Sequence, residues 1–364
     1  MRKKEIDTKQ ALQAYFEEAV SYCEPYGNGY INDTFLVVCH KRYILQRINS
    51  LVFPCPAQLV ENILKVTEHI RGKVQAEGGD ASRCTLTVLP TLSGKPYFCD
   101  SCGGYWRLYE FVEGTVAPEQ VENTEQFYKC GKAFGNFQKM LCDFNAKLLT
   151  EPIANLHNTP WRYKNLMRAV KEDACGRLAE VLSEVQFAAD RENFCHVLEN
   201  AHKEGRLPLH VTHNDTKLNN ILFDEKSGDP VCVIDLDTVM PGYAITDFAD
   251  SIRSGASTTG DSETDLSKVK LDLLLFAAYA KGFLEGCGGS LQEDEIDLMA
   301  VSSVLITLEC GMRFLTDYLD GDVYFRIKHP SHNLDRARNQ FKLVQDMESK
   351  INKMRDVVNK YIQM

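Results

Sequence analysis

HVTHNDTKLNNILFDEKSGDPVCVIDLDT, residues 210–238, is the stretch from which the fold can be read. A polar loop passes directly into a strand-like run at 220–223. The turn EKSGDP, residues 225–230, reverses the chain, and a second run follows at 231–234. Two such runs around a turn containing Ser, Gly, Asp and Pro form a hairpin. The loop before the first strand carries His213, Asp215, Lys217 and Asn220, and the second strand ends in Asp235 and Asp237. Two acid-bearing loops therefore meet at one end of the hairpin.

Phosphoryl transfer from a nucleotide needs few protein parts: a carboxylate to orient and deprotonate the acceptor hydroxyl, and oxygen ligands for magnesium on the phosphates. Asp215 suits the first role as catalytic base, and Asn220 and Asp235 suit the second. Lys217, two residues past Asp215, would point from the same loop toward the transferred phosphate. The spacing H-x-D-x(4)-N, then I-D, repeats the order of a kinase catalytic loop and its metal-binding Asp. The plainer alternative is a hydrogen-bonded turn, because Asn and Asp favour turns whatever their function. Hairpin, spacing and second acid together favour the catalytic reading. Asp237 reads as a turn cap more than a ligand, and His213 as a structural residue that fixes the loop through hydrogen bonds.

A chain of 364 residues fits two lobes of unequal size, and its 44% apolar and 25% charged residues are those of an ordinary globular protein. A net charge of −10 with no basic block gives no indication of a nucleic-acid partner. The N-terminus, MRKKEIDTKQ, lacks an apolar core after its basic residues, so no signal peptide is expected. No run reaches about 18 apolar residues, so no membrane-spanning helix is expected either. The thirteen cysteines are scattered, several within apolar segments, and read as reduced thiols of a cytoplasmic protein. Cys99 and Cys102 form one C-x-x-C pair with no second pair to complete a structural zinc site.

Along the chain, 8–20 reads as an amphipathic helix leading to YGNGY, residues 26–30, a Gly-rich turn between extended segments. Glycine lets a backbone approach phosphates closely, so Gly27, Asn28, Gly29 and the residues through Asn32 could cover a nucleotide; an ordinary hairpin turn is the alternative. Segments 34–39 and 42–48 alternate as a hairpin would. Arg47, at the strand's end on the face of Tyr43 and Leu45, is the candidate cation for the phosphates, or else the partner of a surface carboxylate. A helix at 57–74 and strands at 84–89, 96–98 and 105–111 complete an antiparallel sheet of about five strands. EFVEG, residues 110–114, is the natural hinge, where backbone at Glu110 and Val112 would bond an adenine ring. Beyond it the pattern is helical at 119–149, 160–204, 264–285, 293–320 and 334–361, with 254–265 the expected flexible stretch. The fold class is α+β, with a small antiparallel β-rich lobe at 1–114 and a larger helical lobe at 115–364. Arg313 sits in the apolar stretch LITLECGMRFLTDYL, one turn from Glu309 and Asp317. Such a charge is either paired and structural or faces a polar cleft.

HNDTKLNNILFD followed by VIDLDTVMPG and DFADSIRSG resembles the aminoglycoside phosphotransferase and choline kinase superfamily. YGNGYINDTF, YILQRIN, YEFVEG, FGNFQ, LHNTPWR and RFLTDYLDGDVYF extend the likeness over nearly the whole chain, toward bacterial N-acetylhexosamine 1-kinases. The resemblance implies a protein-kinase-like two-lobe fold and an ATP- and Mg2+-dependent kinase acting on the anomeric hydroxyl of an N-acetylated hexose. It implies Asp215 as base, Asn220 and Asp235 as magnesium ligands, and residues 27–32 as the phosphate loop. Arg313, Asp317 and Tyr324 would line the sugar pocket, with Asn49 reaching the sugar from the other lobe; His157, Arg162 and Arg253 are weaker candidates. Two alternatives stand beside it: a kinase of another small acceptor such as an aminoglycoside, choline or other alcohol, and a catalytically silent nucleotide-binding protein.

Overall fold

The computed structural model describes residues 6–27, 29 and 31–362. In chain order the strands are β1 (Tyr22–Pro25), β2 (Asp33–Val38), β3 (Arg42–Ile48), β4 (Val88–Leu89), β5 (Phe98–Cys99), β6 (Tyr105–Glu110), β7 (Thr115–Val116), β8 (His210–Thr212), β9 (Ile221–Asp224), β10 (Pro230–Val233) and β11 (Met240–Gly242). The helices are α1 (Lys9–Tyr15), α2 (Pro56–Ala76), α3 (Thr124–Leu141), α4 (Thr159–Glu172), α5 (Leu182–Ala189), α6 (Val197–Lys203), α7 (Ala244–Gly255), α8 (Leu273–Cys287), α9 (Glu293–Leu319) and α10 (His332–Ile362). The chain divides into two compact units. One comprises Met1–Val116, Lys147–Ala154 and Leu222–Met240; the other comprises Ala117–Ala146, Asn155–Ile221 and Pro241–Met364. Unlike the continuous lobes expected at 1–114 and 115–364, these units are discontinuous, and two later segments join the first one. The reason is local pairing: Thr115 and Val116 of β7 ladder against Asp224 and Phe223 of β9, and Asn62 of α2 donates to the carbonyls of Thr150 and Val239.

The first unit is built on an antiparallel sheet in the order β1-β2-β3-β6-β4, with β5 also paired to β6. Register follows the period of two. Phe35 pairs with Leu45 and Leu45 with Leu108, so these side chains share one face with Val37, Tyr43 and Trp106, and α1 covers it with Ala11 and Tyr15. Gln46, Arg107 and Tyr109 alternate to the other face. Helix α2 begins with Pro56 in its first turn and buries Leu59, Val60, Ile63, Val66 and Ile70. Only Val88 and Leu89 of the expected strand at 84–89 pair, and the expected helix at 8–20 stops at Tyr15.

The second unit is helical. The helical pattern expected over 160–204 is divided into three α-helices, the first ending where Asp173 and Gly176 adopt left-handed conformations (φ 37° and 67°). Helices α3 and α8 cross almost backbone to backbone: a Cβ on Gly282 would lie 2.0 Å from the Tyr128 carbonyl oxygen, and one on Gly135 2.2 Å from that of Phe283. The stretch at 254–265, expected to be flexible, is tied down by buried Asn339, which donates to the carbonyls of Gly260 and Glu263. Helix α9 corrects the count of apolar runs: by length and composition it could cross a membrane, although 83% of its most apolar window is buried as the central core helix of this unit.

Candidate active site

The loop after β8 is clamped by carboxylates from α7. Asp247 accepts the backbone N–H of His213 (2.8 Å) and of Asn214 (2.7 Å) and the Gln138 side-chain amide (2.7 Å), while Asp250 accepts the N–H of Thr216 (3.1 Å). The Thr216 hydroxyl bonds the Asp247 carbonyl and Ser251 bonds that of Thr216. Burial pushes the Asp247 pKa up, whereas at Asp250 the neighbouring Arg253 and then Lys217 overcome burial and hold the carboxyl down to about 2. His213 is fully buried, its ring edge-on to Phe134 and Phe137. Asn214 is left-handed (φ 64°), a conformation Asn tolerates better than most residues, and it turns the chain so that Asp215 emerges partly exposed.

The Asp215 carboxylate is held from two sides. Lys217 Nζ lies 2.6 Å from Oδ1, and the Asn220 amide donates to Oδ2 (3.1 Å) and to the Asp215 carbonyl (2.8 Å). Asp215 in turn raises the Lys217 pKa, so the amine stays charged. With its Nδ2 directed at Asp215, Asn220 keeps Oδ1 as a potential cation ligand. The structure thus brings Asp215, Lys217 and Asn220 together as the spacing predicts.

In the first unit Asp235 ends the hairpin in a left-handed conformation (φ 59°) and opens a single 3-10 turn containing Asp237. Asp237 is buried and bonded to Arg107 (2.6 Å) and to the Asn32 amide (2.6 Å), which places it as the anchor of a network and not as a simple cap. Arg107 also donates twice to Gln46. Burial opposes its charge, yet Asp237 above all, then Tyr109 and Asp235, keep its pKa above the ordinary arginine value. Arg47, proposed for the phosphates, faces the other way: it lies near Asp100 and over Trp106 on the core face, because β3 alternation puts residue 47 with Tyr43 and Leu45. Arg107, which the sequence reading missed, is the cation on the Asp235 side. Asn220 in the second unit and Asp235 in the first each carry oxygen donors of the kind that suits a hard divalent ion, which needs only one or two protein ligands beside phosphates and water. Among the described residues no cluster of three His, Cys, Asp or Glu could hold a metal without such help.

Gly27 has φ 73°, and a Cβ on either Gly27 or Gly29 would meet nothing within 4 Å among the described residues; Asn28 lies outside them. Asn32, just before β2, reaches the residue after β3, its Oδ1 accepting the Asn49 N–H at 3.0 Å. The Asn49 side chain is spent locally, donating to the Ile31 carbonyl and accepting from the Leu51 N–H. In segment 110–114, where a hinge was expected, Glu110 pairs with Lys41, and the Val112 carbonyl accepts the Thr115 hydroxyl.

In the second unit Asp317, expected to line a sugar pocket, is buried and saturated. It accepts the N–H groups of Val323, Tyr324 and Phe325 and the Asn333 amide, so it shapes the loop 322–325 and does not itself face a ligand. Glu309 is likewise taken, by His157 and Thr159. The structural ion pair considered for Arg313 is therefore not made. Its guanidinium lies 5.6 Å from the Phe325 ring, and among the described residues no carboxylate pairs with it. Arg162, its neighbour, donates only to the Leu156 carbonyl, and burial followed by the charge of Arg313 brings its pKa down to about 10. Tyr324 is 58% exposed and free to act as a ring platform. Arg253 is occupied with Asp250.

Three solved structures share the fold over nearly their whole length. A microcompartment-associated aminopropanol kinase matches with a TM-score of 0.63 at 15% identity, covering 96% of this chain and 98% of its own. An aminoglycoside phosphotransferase from Alicyclobacillus acidocaldarius subsp. acidocaldarius DSM 446 matches at 0.61 and 15%, with 96% of each chain covered. An amicoumacin kinase in complex with AMP-PNP, Ca2+ and Ami matches at 0.54 and 14%, covering 97% of this chain and 92% of its own. At these identities the likeness establishes the fold, which is mixed α+β as the sequence predicts. The family model described as "Phosphotransferase enzyme family" matches residues 23–281, which is most of the chain, and this chain therefore belongs to that family.

Proposed function

We propose that this member of the family transfers the γ-phosphoryl group of ATP to the anomeric C1 hydroxyl of an N-acetylated hexose, in the cytoplasm. The observation that carries the choice of acceptor is the pair Arg162 and Arg313 beside Tyr324 and Phe325, with no carboxylate among the described residues paired to Arg313. A cationic acceptor would want open acids or an aromatic cage. The nearby acids are engaged: Asp320 pairs with Arg168, Asp322 with Arg177, and Asp317 with the loop. Arginine donors and an exposed ring suit a neutral sugar whose amide carbonyl accepts hydrogen bonds.

In this reading the sugar hydroxyl attacks the γ-phosphorus in line. The new C1–O–P bond forms as the bond to ADP breaks, and the hydroxyl proton passes to Asp215. Lys217 neutralises charge on the transferred oxygens, and Asn220, bonded to Asp215, keeps the base aimed. Magnesium held through Asn220 and Asp235 would supply further neutralisation of the phosphates. ATP as donor is supported by the AMP-PNP in the amicoumacin kinase complex, and a cytoplasmic setting by thirteen free thiols.

The second reading, an amino-alcohol or aminoglycoside acceptor, is favoured by the structural neighbours, an aminopropanol kinase and an aminoglycoside phosphotransferase. A panel of N-acetylglucosamine, N-acetylgalactosamine, free hexoses, choline, aminopropanol and kanamycin, assayed with ATP and magnesium, separates the two. Activity confined to the amines removes the sugar, and none with any acceptor favours a silent nucleotide-binding protein.

A further inference from the structure

A histidine beside the catalytic loop is caught between two acceptors. His157, in the segment before α4, has Nδ1 2.8 Å from Glu309 Oε1 and Nε2 3.2 Å from the Asn214 carbonyl oxygen. A carboxylate and a carbonyl accept and do not donate. A neutral imidazole has one N–H, so one of these contacts would set lone pair against lone pair. Only the imidazolium, protonated on both nitrogens, satisfies both.

The surroundings supply the charge it needs. Glu309 is 1% exposed, and its other oxygen takes the Thr159 hydroxyl at 2.7 Å, so His157 is its cationic partner. A buried carboxylate without such a partner would be costly. Burial of the ring opposes protonation, but Glu309, and after it Asp250 of α7, raise the His157 pKa above its ordinary value, against a smaller push from Arg313. Asp247 of α7 also faces the ring, and Arg162 of α4 lies by Glu309.

The carbonyl that His157 holds belongs to the left-handed residue before Asp215. Asp247 fixes the N–H of that same residue, so the peptide entering Asp215 is gripped at both ends of Asn214. We propose that His157, as an imidazolium wedged between Glu309 and the Asn214 carbonyl at neutral pH, is a positioning residue that aims the Asp215 carboxylate, a role that rests on Asp215 being the base. Deprotonation at alkaline pH breaks one of its two bonds and loosens the peptide. Turnover then falls while the ATP KM holds.

The test has two arms. In the full-length 15N-labelled protein, two-bond 1H–15N spectra, with His157 assigned by its loss in H157Q, read the ring directly. Both nitrogens are expected to be protonated at about pH 7.5, with a titration above the ordinary value of about 6.5 that moves down in E309Q. In the kinetic arm, kcat against pH has an alkaline limb that moves to lower pH in E309Q. H157Q loses about 10- to 100-fold in kcat, with the ATP KM within about twofold. The double variant H157Q/E309Q, which rebuilds the bridge from neutral amides, regains most of that turnover and lacks the limb. A neutral ring at pH 7.5 overturns this proposal alone, whatever the acceptor. A charged ring with a limb that E309Q does not move overturns the positioning role. Absence of transfer to every acceptor overturns the proposed function and takes this role with it.

Discussion

Arg107 and Asp237 form an ion pair 2.6 Å long in which both side chains are almost wholly shielded from solvent, and the Asn32 amide closes on the other oxygen of Asp237. One carboxylate thereby ties β6 and the end of the glycine-rich turn to the turn that carries Asp235. Removing one member of such a pair leaves an uncompensated buried charge, which costs about 3–5 kcal/mol. D237A should therefore lose stability of that order in urea denaturation, and R107M/D237N should recover much of it. A loss under about 1 kcal/mol in D237A would mean that Arg107 is rescued by water or by Asp235.

Asp247 shapes the loop that presents Asp215 through backbone donors, and on the proposed function its substitution should act on turnover more than on nucleotide affinity. D247A is expected to lower kcat by about 100-fold, the cost of a small misplacement of the base, while ATP affinity stays within a few-fold. Isothermal titration beside steady-state kinetics separates the two quantities. Equal losses in both would indicate that the whole unit has loosened.

Asp317 holds three successive amides of the loop bearing Tyr324 and Phe325. Each hydrogen bond to a charged group is worth about 1.5–3 kcal/mol, so D317A should free the loop. The acceptor KM should rise about tenfold or more, with the ATP KM unchanged. An unchanged acceptor KM would remove loop 322–325 from the acceptor site.

Much of this was legible because it is local. The hairpin and the set Asp215, Lys217 and Asn220 follow from spacing within one short segment, and alternation placed Leu45 and Tyr43 on one face. The same alternation misassigned Arg47: its face was read correctly, but what covers that face is Trp106 and α1, which no neighbour in sequence reveals. The partners that fix the loop are distant. Asp247 is 34 positions from His213 and Glu309 is 152 from His157, so only folding brings them together. One signal was available: Asp247 and Asp250 sit one turn apart among the apolar residues Ile245, Phe248, Ala249 and Ile252 of α7, where an acid requires a partner.

The crossing of α3 and α8 leaves no room for a methyl group. G282A should destabilise by about 1–3 kcal/mol, measured as a lower midpoint of thermal or urea unfolding, since the Tyr128 carbonyl cannot retreat without moving α3. A neutral result would show that the helices part easily.

Asp250 sets an acid limit. Its folded pKa is held near 2, below the ordinary carboxylate value, chiefly by Arg253 and then Lys217 against the pull of burial. Its contribution to stability is therefore full above about pH 4 and is lost as pH falls through about 2. In D250N the steep loss of stability between about pH 4 and 2 should flatten relative to the parent, read by fluorescence-monitored urea melts. An identical slope would show that Asp250 titrates normally.

The most direct measurement is kcat for Asp215→Asn with ATP and the preferred acceptor, alongside nucleotide affinity. Turnover lower by about 100-fold or more, with ATP binding intact, is the expected result. Turnover near that of the parent would contradict the assignment of Asp215 as the base, and with it the account of the loop built around it.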